Sequence, residues 1–126
     1  IAIITRIVKM FEYQAELIKV IDGDTVDLAV DLGFGIWRRD RFRLYGPNPD
    51  LGMGLNAPEL STPEGKLSKT FLERILAEHP LPLRVQTIKK EKYGRYLAVI
   101  YCTKNGVRQN VNQAMLDAGH AALKKY

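Results

Sequence analysis

In the stretch "VIDGDTVDL", Val20 to Leu28, Asp22 and Asp24 stand on either side of Gly23 inside an apolar alternation that otherwise reads as a pair of β-strands. Asp and Gly disfavour strands, and a carboxylate that enters a core without a partner costs several kcal/mol. Taken alone, the D-G step therefore reads as a surface hairpin turn with solvated carboxylates. A second charged stretch follows at Ile36 to Leu44, where Ile36, Phe42 and Leu44 share one strand face with Arg38 and Asp40 between them. Trp37, Arg39, Arg41 and Arg43 share the other face. Several arginines on one strand face usually mark a solvated surface. Cys102 is the only cysteine, so neither an intramolecular disulfide nor a cysteine-based zinc site can form within the chain. Its place at the end of "YLAVIYC" suits a small core residue rather than a nucleophile.

The elements that would hold these residues can be read from composition and pattern. A chain of 126 residues should form one domain and bury roughly two-thirds of the surface its unfolded form exposes, so it needs no metal or disulfide merely to fold. With 46% hydrophobic and 26% charged residues it resembles a soluble globular protein, unlike a disordered or membrane-spanning one. A net charge of +5 and a pI of about 9.4 are compatible with a polyanionic partner, although charge alone does not separate nucleic acid from an anionic membrane. The opening "IAIITRIVK" is too short for a complete signal peptide and lacks a small-residue cleavage pattern. Residues 1–9 are read as a leftover segment ahead of Met10 or as an extra N-terminal strand, and 10–126 as a single domain. Compartment stays open between cytoplasmic and secreted after processing.

Tyr13 to Ile21, Thr25 to Val30 and Ile36 to Leu44 suit strands, with "DLGFG" supplying turn chemistry before the third. Thr62 can cap a helix with Pro63 in its first turn, and Leu67, Phe71, Leu72, Ile75 and Leu76 then form an apolar stripe. Strands are expected at Leu83 to Lys89 and Arg95 to Cys102, and a second helix at about Val111 to Ala118 with Gly119 at its C-terminal cap. This order is α+β and predominantly β. It suits a five-stranded barrel of the oligonucleotide-binding type with two or three helices packed against it.

Five motifs in a fixed order then point to a family. They are "IDGDTV" at Ile21 to Val26, "RLYG" at Arg43 to Gly46, "LNAPE" at Leu55 to Glu59, "KYGR" with "LAVIY" at Lys92 to Tyr101, and "VNQAMLDAGHA" at Val111 to Ala121. Each is weak alone, but together they cover nearly the whole chain, and the sequence resembles the staphylococcal nuclease-like, or thermonuclease, family. The resemblance implies a calcium-dependent nuclease that hydrolyses phosphodiester bonds of DNA and RNA, prefers single strands, leaves 3′-phosphates and acts as a monomer without membrane attachment.

The resemblance also assigns roles. Asp24 matches the metal-ligating aspartate, Asp22 its acidic neighbour near the ion, and the Ala57 carbonyl the main-chain ligand. Calcium takes six to eight oxygens, which suits such a set. Asn56 stands where the best-known members carry aspartate, so the site has one charge fewer. Glu59 matches the glutamate that orients or deprotonates the attacking water. Arg43 and Arg95 match the arginines that hold the scissile phosphate, a task for which the planar guanidinium fork suits arginine better than lysine. Lys92 and Tyr93 match positions lining the nucleotide pocket. His79 and His120 lie outside these roles and read as surface or helix-end residues, while Lys124, Lys125 and Tyr126 align poorly with the family's C-terminal aromatic.

One departure interrupts the pattern. "PNPDLGMG", Pro47 to Gly54, separates "RLYG" from "LNAPE", and its prolines and glycines predict an outward loop. Asp50 within it could add a carboxylate near the ion. A register shift caused by this segment would leave a catalytically silent module that binds single-stranded nucleic acid or a protein ligand.

Overall fold

A computed structural model of the chain describes residues 11–48, 52–78, 82–90 and 95–125. The elements run β1 (Phe11–Asp22), β2 (Thr25–Asp31), β3 (Trp37–Leu44), β4 (Met53–Asn56), α1 (Pro63–Ala77), β5 (Leu83–Lys90), β6 (Tyr96–Lys104), β7 (Val107–Asn110), α2 (Val111–Asp117) and β8 (Ala122–Lys125). The closed barrel expected from the element order is present. β1 pairs antiparallel with β2 and β5, β2 with β3, and β5 with β6, and a short parallel ladder from Phe42↔Tyr96 to Leu44↔Ala98 joins β3 to β6 and closes the ring. The twelve-residue β1 can serve both neighbours because its register with β2 shifts between Leu17 and Lys19 and again between Val20 and Asp22. Such irregularities bend a strand, which closure requires.

The barrel interior is filled by the alternate residues that the pattern marked. Val26, Leu28, Val30, Phe42, Leu44, Val85, Ala98 and Ile100 are buried together, and Leu72, Ile75 and Leu76 of α1 join the same cluster. Cys102 is buried in it too, and burial pushes its thiol pKa upward, as suits a core residue. The helix starts as its residues dictate: the Thr62 hydroxyl accepts from the Gly65 N–H at 3.0 Å and Pro63 occupies the first turn. The expected stripe needs one correction. Leu67 is 61% exposed, and the inward positions of the first turns are Gly65 and Ser68. The helix approaches the preceding chain so closely that a Cβ on Gly65 would run into the Glu59 carbonyl, so a leucine has no room on that side. α2 ends as expected, with Gly119 at φ +77°, its N–H on the Leu116 carbonyl and the His120 N–H on the Met115 carbonyl.

Three strands were not foreseen. β7 extends the sheet beyond β6, and β4 pairs with β8 in a separate two-stranded ladder from Met53↔Lys125 to Asn56↔Ala122. The Pro47 to Gly54 segment is therefore not all loop. Met53 and Gly54 begin β4, the Gly46 N–H donates to the Met53 carbonyl at 2.8 Å, and the Pro47 carbonyl accepts from Asn110 at 3.3 Å. Asp50, His79 and Tyr126, like residues 1–9, lie outside the described residues.

Glu12 joins three strands on the outer surface. Its carboxylate accepts from Arg84 at 3.0 Å, Gln86 at 3.2 Å and Arg108 at 2.7 Å. Chiefly through the Arg108 hydrogen bond, opposed by burial and aided by Arg84, its pKa is lowered to about 2. A carboxyl whose folded pKa is depressed contributes stability above its unfolded pKa and loses it as pH falls through the folded value. Melting curves of wild type and Glu12→Gln should therefore differ by about 1 kcal/mol near neutrality, a modest figure because the group is partly solvent-screened. The gap should close between the ordinary carboxylate range and about pH 2. A gap independent of pH would show that packing, not charge, holds these strands.

Candidate active site

The turn between β1 and β2 brings Asp22 and Asp24 together. The Asp24 N–H donates to Asp22 Oδ1 at 3.0 Å, which orders the turn, and the Asp24 carbonyl accepts from the Leu44 N–H at 2.8 Å. Gly23 is required by space: a Cβ there would strike the Ser68 hydroxyl of α1 and lie 2.7 Å from Ala57 Cβ. Ser68 is itself fully buried and donates to the His120 carbonyl at 2.7 Å, while the His120 ring lies 4.6 Å from that of Phe71. His120 is thus a packed helix-end residue, and α1 with the end of α2 forms the wall behind the acidic turn.

Asp24 is only 6% exposed. Its carboxylate accepts from the Thr25 hydroxyl at 3.0 Å and from the Ala57 N–H at 2.9 Å. Burial first, and the adjacent Asp22 carboxyl second, raise its pKa to about 6 against the opposing pull of the Ala57 N–H. The contact with Ala57 runs through the amide N–H and fixes the orientation of the Asn56–Ala57 peptide. Arg43 completes the group. One guanidinium nitrogen lies 3.1 Å from Asn56 Oδ1, 3.5 Å from the Leu55 carbonyl and 3.6 Å from the Asp24 carboxylate. The sequence-predicted residues Asp22, Asp24, Arg43, Asn56 and Ala57 therefore converge from β1, β2, β3 and β4 on one place.

Glu59 and Arg95 are located relative to this cluster by backbone position and strand register. Glu59 follows Ala57 by two residues on an exposed segment, and its carbonyl accepts from the Thr62 N–H at 3.0 Å and the Thr62 hydroxyl at 2.7 Å, so the helix cap also anchors Glu59. Arg95 directly precedes β6, and the pairing Arg43↔Leu97 gives Arg95 the same outward parity as Arg43 on the neighbouring strand. Lys92 and Tyr93 lie outside the described residues. β8 runs with Ala122 opposite Asn56, which carries Lys124 and Lys125 toward Gly54 and Met53 and away from the acids.

Among the described residues no three Asp, Glu, His or Cys side chains form a metal-binding group. The donors at the turn are two carboxylates, an amide oxygen and main-chain carbonyls. All are hard oxygens, and burial first and the Asp22 carboxyl second raise the Asp24 pKa. The donor set is of the chemistry that a hard divalent ion takes.

Residues 52–126 match the family described as staphylococcal nuclease homologue. The chain belongs to the staphylococcal nuclease family. It is 30% identical, over 88% of its length, to an uncharacterized protein, MJ1439, of Methanocaldococcus jannaschii. It is 28% identical over 91% of its length to a thermonuclease of Staphylococcus hyicus, and 34% identical over 54% to a probable staphylococcal-like nuclease, CAN2, of Oryza sativa subsp. japonica. The chain spans 59%, 62% and 17% of these three curated relatives, respectively.

One residue that supports this staphylococcal nuclease-like site was missed from sequence. Asn112 is fully buried, and its amide accepts from the Ile100 N–H at 3.0 Å and donates to the Tyr45 carbonyl at 2.7 Å and the Ala98 carbonyl at 3.0 Å. It ties α2 to the β3–β6 junction just beyond Arg43. The available signal was its position, a polar residue between Val111 and Met115 on the apolar side of a short helix.

Proposed function

We propose that the chain is a metal-dependent nuclease that hydrolyses phosphodiester bonds of single-stranded DNA and RNA. The observation that carries this reading is the buried Asp24 carboxylate, with Asp22 against it and the Arg43 guanidinium 3.6 Å away. A buried aspartate with a half-buried second acid against it, beside an arginine on a chain of net charge +5, suits a substrate that arrives as an anion and an ion that neutralises both acids.

Asp22 and Asp24, with the Asn56 amide oxygen and the Ala57 carbonyl, would hold calcium. Once bound, the ion supplies Lewis-acid polarisation of a phosphoryl oxygen. Arg43 and Arg95 donate to the phosphate oxygens on which charge develops. Glu59, exposed at the start of the segment leading to α1, orients or deprotonates the attacking water, a contribution typically of about 10² to 10⁴ in rate. Lys92 and Tyr93 would line the nucleotide pocket, as the resemblance implies, and the family precedent gives products with 3′-phosphates. The protein acts as a monomer in this reading. No helix among the described residues is long and apolar enough to cross a membrane.

The test is digestion of denatured DNA and of RNA with added calcium and with a chelator, followed by end-group analysis of the fragments. Cleavage that depends on calcium and leaves 3′-phosphates is expected. Equal cleavage in excess chelator would remove the metal from the mechanism, and no cleavage in any divalent metal would favour a binding module.

A further inference from the structure

The hairpin joining β2 to β3 presents an apolar tip that the barrel does not use. Phe34 is fully exposed, Ile36 is 55% exposed and Trp37 48% exposed. The tip is nevertheless ordered by hydrogen bonds: Asp31 Oδ1 accepts from the Gly33 N–H at 2.8 Å, and Leu32 and Ile36 bond to Ile36 and Gly33 carbonyls at 2.9 Å. Phe34 has φ +58°, a left-handed conformation that costs a non-glycine residue about 1–2 kcal/mol. An ordered, strained and solvent-facing aromatic tip has no account in the stability of the fold.

Charge and direction show what it meets. From Trp37 the strand runs six residues to Arg43 in the acidic cluster, a distance of about 20 Å. Along this outer face Trp37, Arg39, Arg41 and Arg43 recur at every second residue, a repeat of about 6.7 Å. That repeat is comparable with the step between phosphates of an extended single strand. Arg41 is held in place by Asp27, which accepts from it at 2.8 Å and 3.2 Å, and Arg38 on the other face pairs with Asp40 at 3.0 Å. On the outer face of β3 three arginines, Arg39, Arg41 and Arg43, stand against two aspartates, Asp27 beside Arg41 and Asp24 beside Arg43, so the strand keeps a positive excess there.

Resting on the nuclease reading above, we infer that the outer face of β3 is a track for single-stranded nucleic acid, leading from the scissile phosphate at Arg43 to a base stacked on Trp37 at the hairpin tip. The arginines take successive phosphates and the aromatic tip takes a base, the combination that single-strand binders use. The continuous line from the tip to the reacting centre favours nucleic acid over a membrane, which would need only the tip. Trp37, Phe34 and Arg39 are positioning residues that touch the substrate at a distance from the reacting bond.

Trp37 is the only tryptophan, so its emission reports on the tip directly. The expected result is quenching by an oligonucleotide of about twelve nucleotides, within the span such barrels cover, weakening as salt rises, and none by a dinucleotide. In cleavage assays, Trp37→Ala should raise KM for the long strand about tenfold, and Trp37→Phe should recover most of the loss. Arg39→Ala should flatten the salt dependence by about one counterion. Both residues are exposed, and circular dichroism will verify that the variants fold. Cleavage of the long strand without quenching, or equal KM values for Trp37→Ala and wild type, would overturn the track and leave the nuclease reading standing. Quenching without cleavage in any divalent metal would support the track and remove the nuclease. An emission shift on anionic vesicles with no response to oligonucleotide would overturn the track in favour of a membrane contact.

Discussion

Arg43→Ala is expected to lower turnover on single-stranded DNA by about 10² or more, the usual size of a preorganised charge-stabilising contact. The structure adds a second consequence. Arg43 is the cation beside Asp24, 3.6 Å away, and its side chain is only 14% exposed, so removing it leaves the two crowded acids without a neighbouring positive charge and the Asn56 amide oxygen without its guanidinium donor, while Asp24 keeps the Thr25 hydroxyl and the Ala57 N–H. The metal-free variant should therefore lose about 1–3 kcal/mol of stability, and calcium should restore part of that loss by binding the native state. Arg43→Lys keeps the charge but not the fork, so it should fall between the two in turnover. Turnover measured alongside thermal melts, with and without calcium, checks both effects. A folded Arg43→Ala protein that cleaves at the wild-type rate would take Arg43 out of the chemistry.

Asn112→Ala should be the most damaging single change to the fold. It leaves the buried Ile100 N–H without its acceptor and removes the amide that donates to the Tyr45 and Ala98 carbonyls, while the Ala98 carbonyl keeps the Tyr45 N–H at 2.9 Å. Each orphaned group costs about 1–3 kcal/mol, and the lost volume adds to it, for a total of about 3–5 kcal/mol. Against the 5–15 kcal/mol that typically stabilises a domain this is a large share, equivalent to a Tm lower by roughly 10–20 °C. Asn112→Asp should be no better, since it turns a carboxylate toward two carbonyl oxygens. A Tm within a few degrees of wild type for either variant would mean that water replaces the amide and that the junction is not sealed.

Strand content and order were legible because β3 and β5 alternate between inward apolar and outward polar residues, while β2 and β6 are short apolar runs bounded by turn residues, and both patterns are visible in the letters alone. The helix caps were legible for a similar reason: Thr62 with Pro63, and Gly119, act through their own backbone neighbours. What failed was contact between distant segments. Nothing near Leu67 states that Gly23 and Glu59 crowd the first turns of α1, so the stripe was drawn toward Leu67 instead of toward Gly65 and Ser68. β8 is exposed along its length, so it has no alternation to read, and its partner β4 was hidden in a segment whose glycines and prolines announced a loop. The acidic turn was recognised through its motif, but its physical necessity, a glycine pressed against Ser68 and Ala57, is visible only in three dimensions.

The pairing of β4 with β8 sets the order in which the site can be assembled. Leu55 and Asn56 receive their ladder from Leu123 and Ala122, across more than half the sequence, whereas the acidic turn and Arg43 lie within one compact stretch of hairpins. Contacts that close so large a loop form late, because the entropy of closure must be met before they contribute. During synthesis the β1–β2–β3 meander leaves the ribosome first, and the partner that holds Asn56 in register with Asp24 and Arg43 emerges only after both helices. A chain still tethered to its message thus carries the acids and the arginine without the strand that completes the cluster.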